Sequence, residues 1–329
     1  MRPAAVVLTA ILAGVLVGCS GVQSAWSPEG PNARAIVTLG NVMSVGAGLI
    51  LALVLGLTAV AILVPPERRR WLAGQRAVFW LGVVFPVVTL TSLLVYGLNV
   101  AGILVRASEK PALTIEVSGE RWWWRVSYLD EAGGADFYTA NEIRIPTGQD
   151  VEFRLTSPDV IHSFWVPKLG GKLDMIPGRT NSFRLQADKA GIYRGQCAEY
   201  CGQQHALMAF DLIALEPDAF EAWREGQRRP AAEPDAAFLH QGRDLFIGQG
   251  CGVCHVVRGT AAAGMLGPDL THVGSRRMIA AGTFANNAGT LAGWISSSQH
   301  LKPGNLMPSF SALDGVELRA IAAYLDSLK

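Results

Sequence analysis

Two short stretches of this chain carry residue types that bind redox metals. Cys197, Cys201, His205 and Met208 fall within C-A-E-Y-C-G-Q-Q-H-A-L-M, and Cys251, Cys254 and His255 make up C-G-V-C-H. Thiolate and imidazole suit copper or zinc alike, and a thioether beside them tilts the choice to copper. A mononuclear blue-copper site uses one cysteine. Two cysteines with two imidazoles, the second from His162 in I-H-S-F-W-V-P, predict a dinuclear centre whose thiolates bridge both metals. By themselves, Cys197 and Cys201 also fit a disulfide, the commoner fate of paired cysteines outside the cytoplasm. That pairing would leave His162, His205 and Met208 without a role.

The second motif has the spacing of covalent haem attachment. In C-x-x-C-H two thiols form thioethers with the haem vinyl groups while the adjacent histidine ligates the iron. A thioredoxin-like dithiol or half a zinc site shares the C-x-x-C part, yet neither uses the following histidine. No βαβ pattern surrounds Cys251, and no second cysteine pair is left over. The sixth iron ligand must come from a distant loop, and Met307 in K-P-G-N-L-M-P is well placed. Methionine ligation raises the haem potential.

These motifs need elements to position them. Residues 111–215 alternate apolar and polar in short runs, including 114–117, 141–145, 151–155, 182–185 and 191–196, punctuated by Gly and Pro; this predicts a β-sandwich or barrel. A short helix is expected over 216–226, then a Pro- and charge-rich linker over 227–235 that tethers a second domain. From Ala236 onward the periodicity turns helical, notably at 238–246 and 315–328. So short a helical segment has a thin core, which a covalently held haem would complete.

Half of the 329 residues are hydrophobic, 17% are charged and the formal net charge is +1, a balance that points to no nucleic-acid partner. Much of the apolar excess lies near the N-terminus. Residues 1–18 read as a lipoprotein-type signal peptide whose L-V-G-C ending makes Cys19 the lipidated residue, ahead of an exported segment at 19–40. Residues 41–64 and 78–104 carry no charge and are long enough to cross a bilayer, with Pro86 a candidate kink. Between them P-P-E-R-R-R at 65–70 and Arg76 form a basic loop, so the loop belongs in the cytoplasm and both chain ends outside.

The stretch from His162 through D-M-I-P-G-R at 174–179 to Met208 resembles subunit II of the haem-copper cytochrome c oxidases. The resemblance implies a cupredoxin-like domain with His162, Cys197, Cys201, His205 and Met208 as side-chain ligands of the binuclear CuA centre and Glu199 giving its backbone carbonyl. It further implies that the Glu199 carboxylate binds a magnesium or manganese ion shared with subunit I. G-E-R-W-W-W at 119–124 aligns with the family's aromatic cluster, whose first tryptophan admits electrons, so Trp122 is the candidate route to copper. On composition alone the triplet reads as packing. The C-terminal part resembles a small class-I cytochrome c: G-P-D-L at 267–270 matches the loop beside the proximal histidine, Trp294 a haem-packing aromatic and Met307 the sixth ligand. In that pattern Met265 and Met278 lie too near the attachment site, and His272 and His300 are expected on the surface.

Together these readings imply a multidomain chain: a two-helix transmembrane hairpin (41–104), an all-β cupredoxin-like CuA domain (111–226) and an all-α cytochrome c domain (236–329). The implied function is electron relay in a bacterial inner membrane, from a cytochrome c-type donor through haem c and CuA to oxidase subunit I, with subunit III a further partner. Quinol-oxidase subunit II shares the fold but lacks the copper ligands present here. A CuA-type nitric oxide reductase subunit would share both signatures, and a free membrane-anchored carrier would give Glu199 no metal to hold. One departure stands out: many relatives carry a proton-loading carboxylate near the start of the second helix, whereas 74–81 has none and Glu67 lies earlier.

Overall fold

The computed structural model describes residues 21–105 and 110–329, so the signal peptide expected over 1–18 and the lipidation expected at Cys19 fall outside the described residues. Two compact units emerge, one spanning 32–110 and the other 111–329 together with the N-terminal residues up to Pro31.

Helix α1 spans Pro31–Leu63. It begins at Pro31 rather than at residue 41, because the apolar run marks where hydrocarbon would lie and not where helix starts. Proline suits the first helical position, its φ being preset and its missing N–H not needed there. At 33 residues the helix is about 50 Å long, more than the roughly 30 Å of hydrocarbon it would cross. The second apolar element comprises α2 (Gln75–Phe79), a π-helical turn (Trp80–Val84) and α3 (Phe85–Val105). Its irregularity has a cause: Pro86 cannot donate to the preceding turn, and the helix widens so that Phe85 N–H reaches the Trp80 carbonyl. Both elements are long and apolar enough to span a membrane, with mean hydropathies of 2.5 and 2.3.

The second unit opens as a sandwich of ten strands: β1 (Leu113–Glu120), β2 (Trp123–Leu129), β3 (Ala135–Ala140), β4 (Glu142–Pro146), β5 (Val151–Thr156), β6 (His162–Trp165), β7 (Lys172–Met175), β8 (Asn181–Leu185), β9 (Gly191–Cys197) and β10 (Ala209–Leu215). One sheet has the order β3-β2-β1-β5-β8 and the other β4-β10-β9-β6-β7. The β1–β5 and β4–β10 pairs run parallel and the remainder antiparallel. Alternation along β1 buries Leu113, Ile115 and Val117 while the residues between them remain partly exposed, the period-two pattern of a sheet with one face on a core. Between the sheets, Trp124, Phe153, Phe164 and Phe210 are fully buried, Phe164 stacking on Phe210 at 4.7 Å between ring centres. Residues 21–30 lie along this sandwich: Glu29 N–H donates to the Lys168 carbonyl, and Asp188 N–H to the Glu29 carbonyl.

Helix α4 (Pro217–Arg228) closes the sandwich, with Trp223 packed on Tyr128 and Phe137 and Arg228 donating to Asp136 of β3. The segment after α4 is held down along its length and is not the loose tether its composition predicts. Ala231 N–H donates to the Arg258 carbonyl, the Arg258 guanidinium reaches the carbonyls of Gln227 and Arg228, and a His272 ring nitrogen lies against that of Arg229. His272, expected at the surface, is thereby a buried structural residue, its other ring nitrogen on the Lys329 carbonyl. His300 is exposed, as expected.

The C-terminal part is built on α5 (Ala237–Gly248), α6 (Ala288–Leu301) and α7 (Gly315–Ser327), with a two-residue ladder between β11 (Met278–Ile279) and β12 (Phe284–Ala285). Phe246, Leu291, Ile295, Ile321, Tyr324 and Leu325 form its core, and Trp294 and Met307 pack against it partly exposed.

Hydrogen bonds from Arg228, with burial opposing them, hold the Asp136 carboxyl below its ordinary range. A depressed folded value means that its contribution is whole above an ordinary carboxylate pKa of about 4 and is lost as pH falls through the folded value. An Asp136→Asn variant should therefore show a shallower loss of stability on acidification, measured as denaturant midpoints across that range.

Candidate metal centres

Three segments of one sheet edge converge to form the first site. His162 opens β6, Cys197 ends β9, and the loop between β9 and β10 folds back to present Cys201, His205 and Met208. The loop is fixed by its backbone: Cys197 N–H donates to the Met208 carbonyl and Ala198 N–H to that of Ser163. Cys197, Cys201, His162 and Met208 are all at most 4% exposed.

The two sulfurs lie 3.8 Å apart, far beyond the roughly 2.05 Å of a disulfide, and both cysteines are free. Around that pair the donors fall into two sets. Cys197 Sγ lies 3.8 Å from His162 Nδ1 and 3.2 Å from the Glu199 carbonyl oxygen. Cys201 Sγ lies 3.6 Å from His205 Nδ1 and 3.9 Å from Met208 Sδ. Donors bound at about 2.0–2.3 Å to one tetrahedral ion are separated by such distances. Hence the donor set fits metal, and its division into two halves about a shared thiolate pair fits two ions.

The residues behind the ligands set their chemistry. His162 Nε2 lies 2.9 Å from Asp159 Oδ1. Burial raises the Asp159 pKa, but hydrogen bonds from His162, Val160 N–H and Arg121 N–H outweigh it and leave the carboxyl below its usual range. Asp159 is thus an acceptor, His162 Nε2 carries the proton, and Nδ1 is left bare towards the sulfur pair. The hydrogen bond from Cys201 pushes the Cys197 thiol well below its ordinary range against the effect of burial, so the pair readily supplies a thiolate.

Trp122 and Glu199 also have defined places. Trp122 is buried, and its indole N–H donates to the Cys201 carbonyl at 3.0 Å, one backbone step from a site sulfur. Glu199 turns its carboxylate outwards to Lys172 Nζ at 3.0 Å, with half-exposed side chains on both sides. The Trp122-Trp123-Trp124 triplet divides its labour: Trp124 is core, and Trp123 carries the Arg125 guanidinium over its ring.

The second site lies in the helical part. Cys251–Val253 form a 3₁₀ turn and Cys251 and Cys254 are free and partly buried. His255 Nδ1 is 2.8 Å from the Pro268 carbonyl, an oxygen that can only accept, so Nδ1 bears the proton and Nε2 keeps its lone pair. Burial lowers the His255 pKa further, favouring the neutral imidazole that an iron requires. Gly267 makes room for this ring, since a Cβ there would fall 2.5 Å from His255 Cε1. Met307, on the loop after α6, has its N–H bonded to Asn305 Oδ1 and its carbonyl to Ser298 and Gln299. These residues fit a covalent haem with a histidine on one side.

Sequence reasoning missed Asp159 and Lys172, and it placed Pro268 beside the proximal histidine without its part as the Nδ1 acceptor. Of the two missed, only Asp159 left a signal, as the acid in the S-P-D-V turn just before His162.

Fold and sites together define a membrane-anchored electron-transfer chain, with two apolar N-terminal helices, a cupredoxin-like sandwich and a C-terminal cytochrome c domain. Residues 129–215 match the family "Cytochrome C oxidase subunit II, periplasmic domain", and residues 239–329 match "Cytochrome c". The chain is 37% identical to cytochrome c oxidase subunit 2 of Alkalihalophilus pseudofirmus over 330 residues, covering 95% of this chain and 94% of that one. It is 34% identical to the Bacillus subtilis protein of the same name, over 66% of this chain and 63% of that one. Among solved structures, the periplasmic domain of subunit II of cytochrome oxidase from Bradyrhizobium japonicum is 32% identical over 36% of this chain and 96% of its own, with a TM-score of 0.34. This chain belongs to the cytochrome c oxidase subunit 2 family.

Asp159 orients His162 through Nε2, the ring nitrogen turned away from the sulfur pair. An Asp159→Asn variant should lower copper affinity about 10- to 100-fold while leaving the fold intact, as read by competition with a copper chelator beside a circular dichroism spectrum.

Proposed function

We infer that this chain is the electron-relay subunit of a haem-copper terminal oxidase, taking electrons from a cytochrome c-type donor and delivering them to subunit I, where oxygen is reduced to water. The observation that carries this reading is the convergence of His162, Cys197, Cys201, His205 and Met208 about one thiolate pair. The family membership supports it. When bound, haem c and CuA supply one-electron redox couples that change shape little on reduction.

The residues' own work is to hold those groups still. His162, Cys197, Cys201, His205, Met208 and the Glu199 carbonyl are assigned to copper; Cys251 and Cys254 to the haem thioethers, His255 and Met307 to its iron. Trp122 is assigned to the route towards copper, because its indole is bonded to the Cys201 carbonyl. We place both metal domains on the outer side of a bacterial inner membrane, with the basic loop of residues 65–76 inside.

Glu199 has two functions in this reading: its carbonyl belongs to copper, and its carboxylate to a magnesium or manganese ion completed by subunit I. Lys172 now holds that carboxylate and would have to release it. Because the two functions use different atoms, Glu199→Gln should lower the manganese content of the purified complex with the dicopper spectrum unchanged. Subunit III is a further partner in the proposal.

Purification of the complex tests the whole. Haem a or o with a third copper in the partner subunit supports the oxidase, whereas non-haem iron would assign the chain to a nitric oxide reductase. Within the chain, Met307→His should keep the haem attached and lower its midpoint potential in a redox titration. An unchanged potential would remove Met307 from the iron.

A further inference from the structure

The C-terminal domain is seated on the sandwich by hydrogen bonds, several of them at β9, β10 and the loop between them. Ala209 N–H donates to the Ala281 carbonyl, Arg194 to that of Gly282, and Gln204 Nε2 to that of Pro303. Arg277 adds its backbone N–H to Glu142 and its guanidinium to Asp211. At the centre lies Lys302, only 2% exposed although it belongs to the loop that carries Met307.

Its ammonium has three hydrogens, and three carbonyl oxygens receive them: Trp122 at 3.0 Å and Leu207 at 2.8 Å on the sandwich, and Ala280 at 3.1 Å on its own domain. No carboxylate accompanies it among the described residues, and burial pushes its pKa down to about 7. A buried lysine costs free energy unless every donor is used. Here every donor is used, two of them across the domain boundary, and those two acceptors flank the copper site: Trp122, bonded to the Cys201 carbonyl, and Leu207, which precedes Met208.

Two further observations point the same way. Ala280 and Ala281 hold positive φ values of 52° and 56°, a conformation unfavourable for residues with a Cβ, and their carbonyls are those bonded by Lys302 and Ala209. Gly304, two residues beyond Lys302 and at φ +81°, lies so close over the Trp122 indole that a Cβ would stand 3.4 Å from its ring. The methionine loop therefore lies directly on Trp122.

We propose that Lys302 is a positioning residue that latches the C-terminal domain to the sandwich, with the Met307 loop on Trp122, and so sets the rate at which electrons cross between the two domains. The latch rests on the relay function proposed for the chain and on no additional cofactor. Each electron crossing oxidises the haem iron by one unit and reduces the copper pair by one, so the latch alters no balance, only the separation and alignment of the partners.

The test uses the assembled oxidase and compares wild type with Lys302→Met, which keeps the stem and removes the hydrogen-bond donors. Two quantities are read: hydrogen exchange in peptides covering 202–209 and 278–284, and haem-to-copper transfer after photochemical reduction of the haem. The expected result is faster exchange in both peptides and transfer slowed by at least about tenfold, with haem potential and copper spectrum unchanged. Lys302→Arg, which retains donors, should recover part of the rate. Unchanged exchange and transfer would overturn the latch, as would slowed transfer explained by a shifted haem potential. Should Lys302→Met fail to assemble, Gln204→Ala and Arg277→Ala weaken the same seat from its two sides; if neither raises exchange or slows transfer, the latch is wrong. Absence of haem or copper from the wild type would sink the relay function alone, since the exchange arm reports on the latch without them.

Discussion

The sandwich of this chain is arranged around two buried sulfur atoms 3.8 Å apart. Unbridged and buried, such a pair is costly unless its charge is met by metal, and metal requires further donors at matching distances. One sheet meets that demand. β6 and β9 are hydrogen-bonded neighbours, so His162 and Cys197 arrive side by side, and the loop after β9 turns back to bring the remaining donors. The aromatic packing of Trp124, Phe164 and Phe210 beneath makes that sheet edge stiff.

The same economy recurs at the second site, where one oxygen decides which imidazole nitrogen remains open. The Asp159 carboxylate does so for His162 and the Pro268 carbonyl for His255, from loops that carry no metal donor themselves. Ligand identity and ligand readiness are thus separate properties of the fold. Trp122 and Lys302 extend the logic beyond the ligands: the Trp122 indole donates to the Cys201 carbonyl, and Lys302 joins the domains at the backbone carbonyl of the same residue.

Legibility in the sequence tracks the range of each interaction. The runs Cys197–Met208 and Cys251–His255 are local, so spacing discloses them, whereas His162 and Met307 lie far along the chain and gain their roles only beside those runs. The strands of the sandwich are legible through period-two alternation, and β1 shows it without a break. By contrast, the start of α1 at Pro31 is hidden, because hydropathy registers the bilayer and not backbone hydrogen bonds. The linker reads as a tether since its Pro and charged residues resemble solvated chain, whereas Arg258 and His272, far along the sequence, hold it down. His272 itself reads as a surface residue for the same reason: a lone polar side chain gives no local sign that two distant carbonyls await it.

The amino-acid order by itself determined the chemistry: a thiolate, imidazole and thioether set for copper, a C-x-x-C-H for haem, and two apolar segments for a membrane. These depend on residue type and short spacing, which folding does not alter. Tertiary structure decided the rest. It left the two thiols unbridged, chose the nitrogen that each histidine presents, turned Glu199 towards Lys172, and buried Lys302 between two domains against carbonyls of Trp122 and Leu207. Each of those outcomes depends on backbone carbonyls or charges brought from distant parts of the chain, and such groups are the same at every position until the fold places them.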